Sequence, residues 1–142
     1  MKSKSMKRFD SFCRSLENLA KSRLKNPEDD MVLEATVHRF NLSFDLSWKV
    51  MKDILTEHMG VLDFATGSPR ETLQTAFANG IINDDVWLKM MRTRNKLAHD
   101  YDGILAADEF EKIIGTFYEI FTVFQENAKK YYMDETASLD RF

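Results

Sequence analysis

The sequence predicts an all-α protein, an antiparallel up-down bundle of four to five helices. Three observations carry this expectation. Breakers are scarce, with five glycines and two prolines in 142 residues, about 5% against a usual 12%. Apolar residues recur at i, i+3, i+4 and i+7 along the long stretches between breakers. Capping residues stand where those stretches begin.

The first helix is expected over about Ser5 to Leu24, on a stripe of Phe9, Phe12, Cys13, Leu16, Leu19, Ala20 and Leu24. Asn26-Pro27 ends it, because a residue before proline is pushed out of the helical region. Glu28-Asp29-Asp30 then supplies acids suited to a helix N-terminus. The second helix follows, about Asp30 to Met59. It carries two stripes, one through Leu33, Val37, Phe40, Phe44, Trp48, Met51 and Leu55, the other through Val32, Ala35, Leu42, Leu46, Val50 and Ile54. Two stripes mean neighbours on more than one side, and Gly60 is its natural stop.

Val61–Gly67 reads as a loop. Ser68-Pro69-Arg70-Glu71 then starts a helix that Gly80 closes. Ser68 caps, Pro69 fits the first position and Glu71 completes a capping box. The fourth helix begins near Asn83 or Asp84 and carries Val86, Trp87, Met90, Met91, Leu97 and Ala98 until Asp102-Gly103 breaks it. The fifth is expected from about Ala107 to Tyr132, on Phe110, Ile113, Ile114, Phe117, Phe121, Phe124 and Ala128. Short loops make successive helices antiparallel. Residues 1–133 are expected to form one domain and 134–142 a frayed polar tail.

Composition bounds the function. The net charge is −3 and the pI about 5.6, which argues against a general nucleic-acid coat or a polybasic membrane binder. A single cysteine, Cys13, excludes an internal disulfide framework and a Cys-rich zinc site, and points to a reducing compartment, the cytoplasm. The opening MKSKSMKRF is followed by no apolar run, so no signal peptide is expected. No stretch approaches the 18 apolar residues of a membrane span, so no membrane association is expected.

Bundle metal sites need inward carboxylates with Glu-x-x-His pairs, and none of the three histidines follows a glutamate at that spacing. Glu34 and His38, four residues apart, read as a solvated contact. No glycine-rich phosphate loop, dinucleotide fingerprint or serine nucleophile elbow is present. Neither metal nor cofactor is therefore expected. Cys13 lies on an apolar stripe and reads as core. The phenylalanines and methionines read as core filling.

What remains is the stretch Trp87–His99, which holds Lys89, Arg92, Arg94 and Lys96 and no acid. Cations there can simply complement the helix dipole, or they can contact phosphate. Arg94-Asn95-Lys96-Leu97-Ala98-His99-Asp100-Tyr101 adds a titratable imidazole. Asn95 and His99 are four apart and share a face. Arg94 and His99 stand about 140° apart on an ideal helix, so they converge only where the helix ends or where two helices meet across a dimer. An arginine fork suits phosphate oxygens and a histidine moves protons near neutral pH. Together they are a minimum set for RNA cleavage without a metal. The plain alternative is an ordinary helix end.

The wider text resembles one family. Arg39-Phe40-Asn41-Leu42-Ser43-Phe44-Asp45-Leu46-Ser47-Trp48-Lys49, Ser68-Pro69-Arg70-Glu71, Ala76-Phe77-Ala78-Asn79-Gly80-Ile81-Ile82, Trp87 and Arg94 to Tyr101 occur in the order and spacing of nucleotidyltransferase substrate-binding proteins, a branch of the HEPN superfamily. The resemblance spans about residues 5 to 132. Asn41 stands where the family often carries Glu. The resemblance implies a homodimeric helical bundle and a minimal nucleotidyltransferase as partner and antitoxin. It implies a toxin whose Arg-x4-His motif falls on Arg94 and His99 as catalytic residues, with Asn95 in support. It further implies Tyr101 as acceptor of AMP transferred from ATP, which silences the nuclease. Lys89, Arg92, Lys96 and Arg39 are then expected to contact RNA or nucleotide phosphate. A second reading stays open, in which the chain is a non-catalytic subunit presenting a substrate or nucleotide to the nucleotidyltransferase.

Overall fold

The computed structural model of the protein describes residues 2–61 and 67–140, with 134–140 as backbone alone. Six helical segments follow in order: α1 (Lys4–Ser22), α2 (Asp30–Asp53), α3 (Pro69–Ala78), α4 (Val86–Leu97), α5 (Ile104–Lys112) and α6 (Tyr118–Asp140). Two π-helical turns extend them. Ile54–His58 continues α2, and Ile113–Phe117 joins α5 to α6 in one rod. The result is five packed rods and no strand among the described residues, as expected of an all-α bundle. The expected loop falls over 62–66 outside the described residues, and the expected tail of 134–142 likewise lies outside those whose side chains are described.

Cross-links give the directions. Arg8 meets Asp53, Ser43 meets Ser15, and Arg39 meets Ser22, so α1 and α2 are antiparallel. Ser5 meets Tyr132, Phe12 meets Phe124 and Arg23 lies over Tyr118, so α6 also runs against α1. Phe40 stacks near Phe117 while His58 sits by Tyr132, so α2 and the α5–α6 rod run parallel. Between these three rods lies an aromatic core of Phe9, Phe12, Phe40, Phe44, Phe117, Phe121, Phe124 and Tyr132, closed on one side by Trp87 from α4. Each such ring removes enough apolar surface from water to stabilise by roughly 1.5–3 kcal/mol.

The caps explain where the rods start. Ser3 Oγ accepts from the Met6 amide, Asp29 Oδ1 from Met31, and Ser68 Oγ from Glu71 with Pro69 at the first position. Three boundaries differ from expectation: the last rod runs on as helix to Asp140 instead of ending near Tyr132, and two others shift for visible reasons. α1 stops at Ser22, where the last carbonyls take tighter i→i+3 bonds from Arg23, Leu24 and Lys25, and Leu24 is left exposed instead of on the core stripe. The fifth rod starts at Ile104 rather than Ala107, because a side chain upstream caps it, as described below.

The α1–α2 seam is polar at its centre. Ser15 Oγ donates to the Phe12 carbonyl and receives a hydrogen bond from Ser43 Oγ at 2.9 Å, both hydroxyls being buried. Small hydroxyl side chains let two helices approach closely while keeping their polar atoms paired. No described helix is long and apolar enough to cross a membrane.

Candidate functional site

α4 is two-faced. Trp87, Met90, Met91 and Leu97 are buried, whereas Lys89, Arg92 and Lys96 stand exposed on the outer face. Steps of three, four and three residues carry that stripe from Lys89 to His99, which is also exposed. The helix ends by tightening: the His99 amide bonds to the Lys96 carbonyl and the Asp100 amide to that of Leu97. Gly103 then takes φ of 73°, a left-handed value that glycine adopts without steric cost.

Asp100 closes this corner. Its Oδ1 accepts from the Leu105 amide at 3.1 Å and its Oδ2 from the Ala106 amide at 2.8 Å, satisfying two orphan donors at the start of α5. The carboxylate is thereby engaged in capping. Its neighbours on either side, His99 and Tyr101, point outward. Tyr101 is 89% exposed, and its ring meets the His99 ring edge-on at 6.5 Å. Beside Tyr101 lies a cleft of about 340 Å³ with an acidic lining of Asp30, Glu34, Asp100 and Asp102. The corner therefore has a cationic stripe on α4 and an acidic hollow against α2.

Arg94 faces elsewhere. It is half-buried, and its Nε and Nη2 bond to the two carboxylate oxygens of Asp45 on α2, at 3.1 and 3.0 Å. These hydrogen bonds hold the guanidinium proton more firmly than usual, against a smaller opposing effect of burial. Among the described residues no hydrogen bond or ion pair links Arg94 to His99. One chain thus pairs the His99 and Tyr101 rings, while the Arg94 guanidinium is engaged by Asp45 of α2. Arg94 and Asn95 instead line a second cleft, of about 490 Å³, formed by α2, the start of α3 and α4, with Trp48, Lys49 and Arg70 on its walls.

Arg39 is placed differently again. It donates to the Asn18 carbonyl and to Ser22 Oγ at the end of α1, and it meets none of the other predicted site residues. Cys13 is half-buried, and burial pushes its thiol above the ordinary value, the opposite of what a nucleophile needs. No group of three His, Cys, Asp or Glu side chains placed to hold a metal occurs among the described residues.

Five residues of these surroundings stand in the segments that carry the resemblance but receive no site role from sequence. Asp45, Trp48, Lys49 and Arg70 had no local signal, because they reach Arg94 only through the packing of α2 and α3 on α4. Asp100 had one: an acid ahead of Gly and a helical run, the pattern of a side-chain cap.

The family profile described as nucleotidyltransferase substrate binding protein like matches residues 4–130. No curated protein matches the chain in sequence.

Proposed function

The chain belongs to the nucleotidyltransferase substrate binding protein family, and from that premise we propose that it is the toxin-like component of a toxin–antitoxin module. In this reading it is a metal-independent RNase with a composite site across a homodimer, paired with a minimal nucleotidyltransferase. The observation that carries the reading is the exposure of His99 at the end of the cationic α4 stripe, with Tyr101 edge-on beside it.

The chemistry follows from the groups. An RNA strand lies along Lys89, Arg92 and Lys96, which hold its phosphates. The 2′-hydroxyl gives up its proton to solvent water and attacks the adjacent phosphorus, and its oxygen–phosphorus bond forms as the bond to the 5′-oxygen breaks. The products are a 2′,3′-cyclic phosphate and a free 5′-hydroxyl. His99 delivers the proton the leaving oxygen needs. Arg94 stabilises the charge that builds on the non-bridging oxygens. Because Arg94 is bonded to Asp45 of α2 and stands about 140° from His99 on an ideal helix, the second protomer, with α4 near the two-fold axis, sets one chain's histidine beside the other's arginine. The partner transfers AMP from ATP to the Tyr101 hydroxyl and releases pyrophosphate. The added phosphodiester brings bulk and negative charge to His99 and repels RNA.

RNA cleavage in EDTA tests this. His99→Ala is expected to lose about 10²–10⁴-fold in rate, the usual loss with a general acid, while remaining folded. Cleavage by His99→Ala at the wild-type rate, or none by the wild type, overturns the reading. A protein sedimenting only as a 16.6 kDa monomer at micromolar concentration removes the composite site.

A further inference from the structure

Two apolar clefts meet at the turn between α3 and α4. The larger, of about 320 Å³, lies between Leu73 and Phe77 of α3 and Trp87 and Leu88 of α4. The smaller, of about 110 Å³, runs from Trp87 to Ile120 and Val123 of α6. Ile82, Asp84 and Trp87 border both, so the two form one face across three helices. The core beneath is already closed, since Ile82 and Trp87 are buried. Phe77 and Val123 nevertheless stand 51% and 54% exposed on this face. A lone exposed apolar side chain is ordinary, but two that flank a continuous apolar floor mark a contact surface.

The rim of this face is acidic. Asp84 and Asp85 border the larger cleft, and no lysine, arginine or histidine lines either cleft among the described residues. Neither carboxylate has an ion-pair partner there. Asp84 Oδ1 accepts from the Val86 amide, whereas Asp85, at the N-cap position of α4, makes no capping bond. One carboxylate therefore serves the helix, and the other is left facing outward.

We propose that this face docks an amphipathic helix of a partner protein, with one large apolar side chain beside Phe77, a second beside Val123, and lysine or arginine against Asp84 and Asp85. A groove between helices takes a helix whose apolar residues recur at i, i+3 or i+4. No sheet edge exists among the described residues for a strand to join. Acids on the rim select cations on the incoming helix and repel phosphate ligands. A second copy of the chain offers cations without anchors. Its cationic stripes are Lys7, Arg14 and Lys21 of α1 and Lys89, Arg92 and Lys96 of α4, and among the described residues neither helix exposes a large apolar side chain. The face includes neither Arg94, His99 nor Tyr101, so it stands or falls separately from the RNase reading.

A display library of helical peptides of about 14 residues, roughly four turns, panned on the immobilised full chain tests the face. Counter-selection uses Phe77→Glu, or Val123→Glu should the first variant melt below the wild type. Enriched peptides are expected to share two apolar residues three or four positions apart, with at least one flanking lysine or arginine. The synthetic peptide is expected to gain helicity on binding. Phe77→Ala is expected to weaken it about tenfold or more, as loss of an anchor contact does. Asp84→Asn combined with Asp85→Asn keeps the capping oxygen and is expected to weaken it about threefold or more and to flatten its salt dependence. No peptide enriched over the counter-selected control, or an enriched set that is acidic or lacks the apolar pair, overturns the proposal. Binding indifferent to Phe77→Ala or to the double asparagine variant does the same. So does a wild-type oligomer that Phe77→Glu converts to monomer, because a second copy then occupies the face.

Discussion

Two arginine–aspartate pairs tie α2 to its neighbours, and they sit in opposite surroundings. Arg8 of α1 reaches both oxygens of Asp53 from a single nitrogen, at 2.8 and 3.0 Å, and the Asp53 side chain is 14% exposed. Arg94 of α4 meets Asp45 fork to fork, and the Asp45 side chain is 35% exposed. In the closed seam burial dominates: it pushes the Asp53 carboxyl above its ordinary 3.8, with Arg8 pulling it back only in part. On the cleft wall hydrogen bonding dominates, and Asp45 strengthens the Arg94 charge. The first pair spends its arginine on joining helices. The second holds an arginine in position with its Nη1 unbonded among the described residues. Position on a cleft wall, and not the pair itself, separates an arginine available for chemistry from one that is consumed by the fold.

Exchanging the two roles is the hardest test of that contrast. Arg94→Ala is expected to slow RNA cleavage about 10²–10³-fold, the usual loss with one transition-state donor. Arg8→Ala is expected to leave the rate per folded molecule unchanged. Equal losses in a cleavage assay would erase the distinction.

Stability is expected to run the other way. Arg8→Ala strands a carboxylate in a closed seam and should cost about 1–3 kcal/mol. Arg94→Ala leaves Asp45 in reach of water and should cost less than about 1 kcal/mol. Urea unfolding of both variants decides the order, and a larger loss in Arg94→Ala would reverse the assignment.

The smallest effect sharpens the burial argument. An acid whose folded-state pKa lies above its unfolded value binds its proton more tightly when folded. Asp53 should therefore subtract stability as pH rises through the window just above 3.8, toward its raised value. Asp53→Asn should flatten that part of the stability–pH curve, and an identical curve for the variant would show that burial does not control this carboxyl.

Rods, stripes and stops were legible because they are local. Ser68-Pro69-Arg70-Glu71 announces α3 within four residues, and the Phe110-to-Ala128 stripe announces the last rod within nineteen. The buried Ser15–Ser43 pair was not legible, since a serine reads as surface until a second serine 28 residues away completes its bond. The site divides in the same way. Arg94, His99 and Tyr101 stand out as a spacing. Asp45, 49 residues from Arg94, does not. Arg39 is read from sequence as a phosphate contact, and its guanidinium bonds to the end of α1, 17 and 21 residues back.

The Asp100 cap also bears on the order in which the chain assembles. Its bonds to Leu105 and Ala106 close loops of five and six residues, and loops of that size close within about 100 ns. The corner that displays His99 and Tyr101 can thus be shaped while the rest of the chain is still searching. The Arg94–Asp45 bond must wait for α2 and α4 to dock across 49 residues, a contact whose loop entropy is met only as the bundle condenses. The two halves of the motif mature at different moments: the histidine is set out early by its own turn, and the arginine gains its fixed direction only once the bundle is whole.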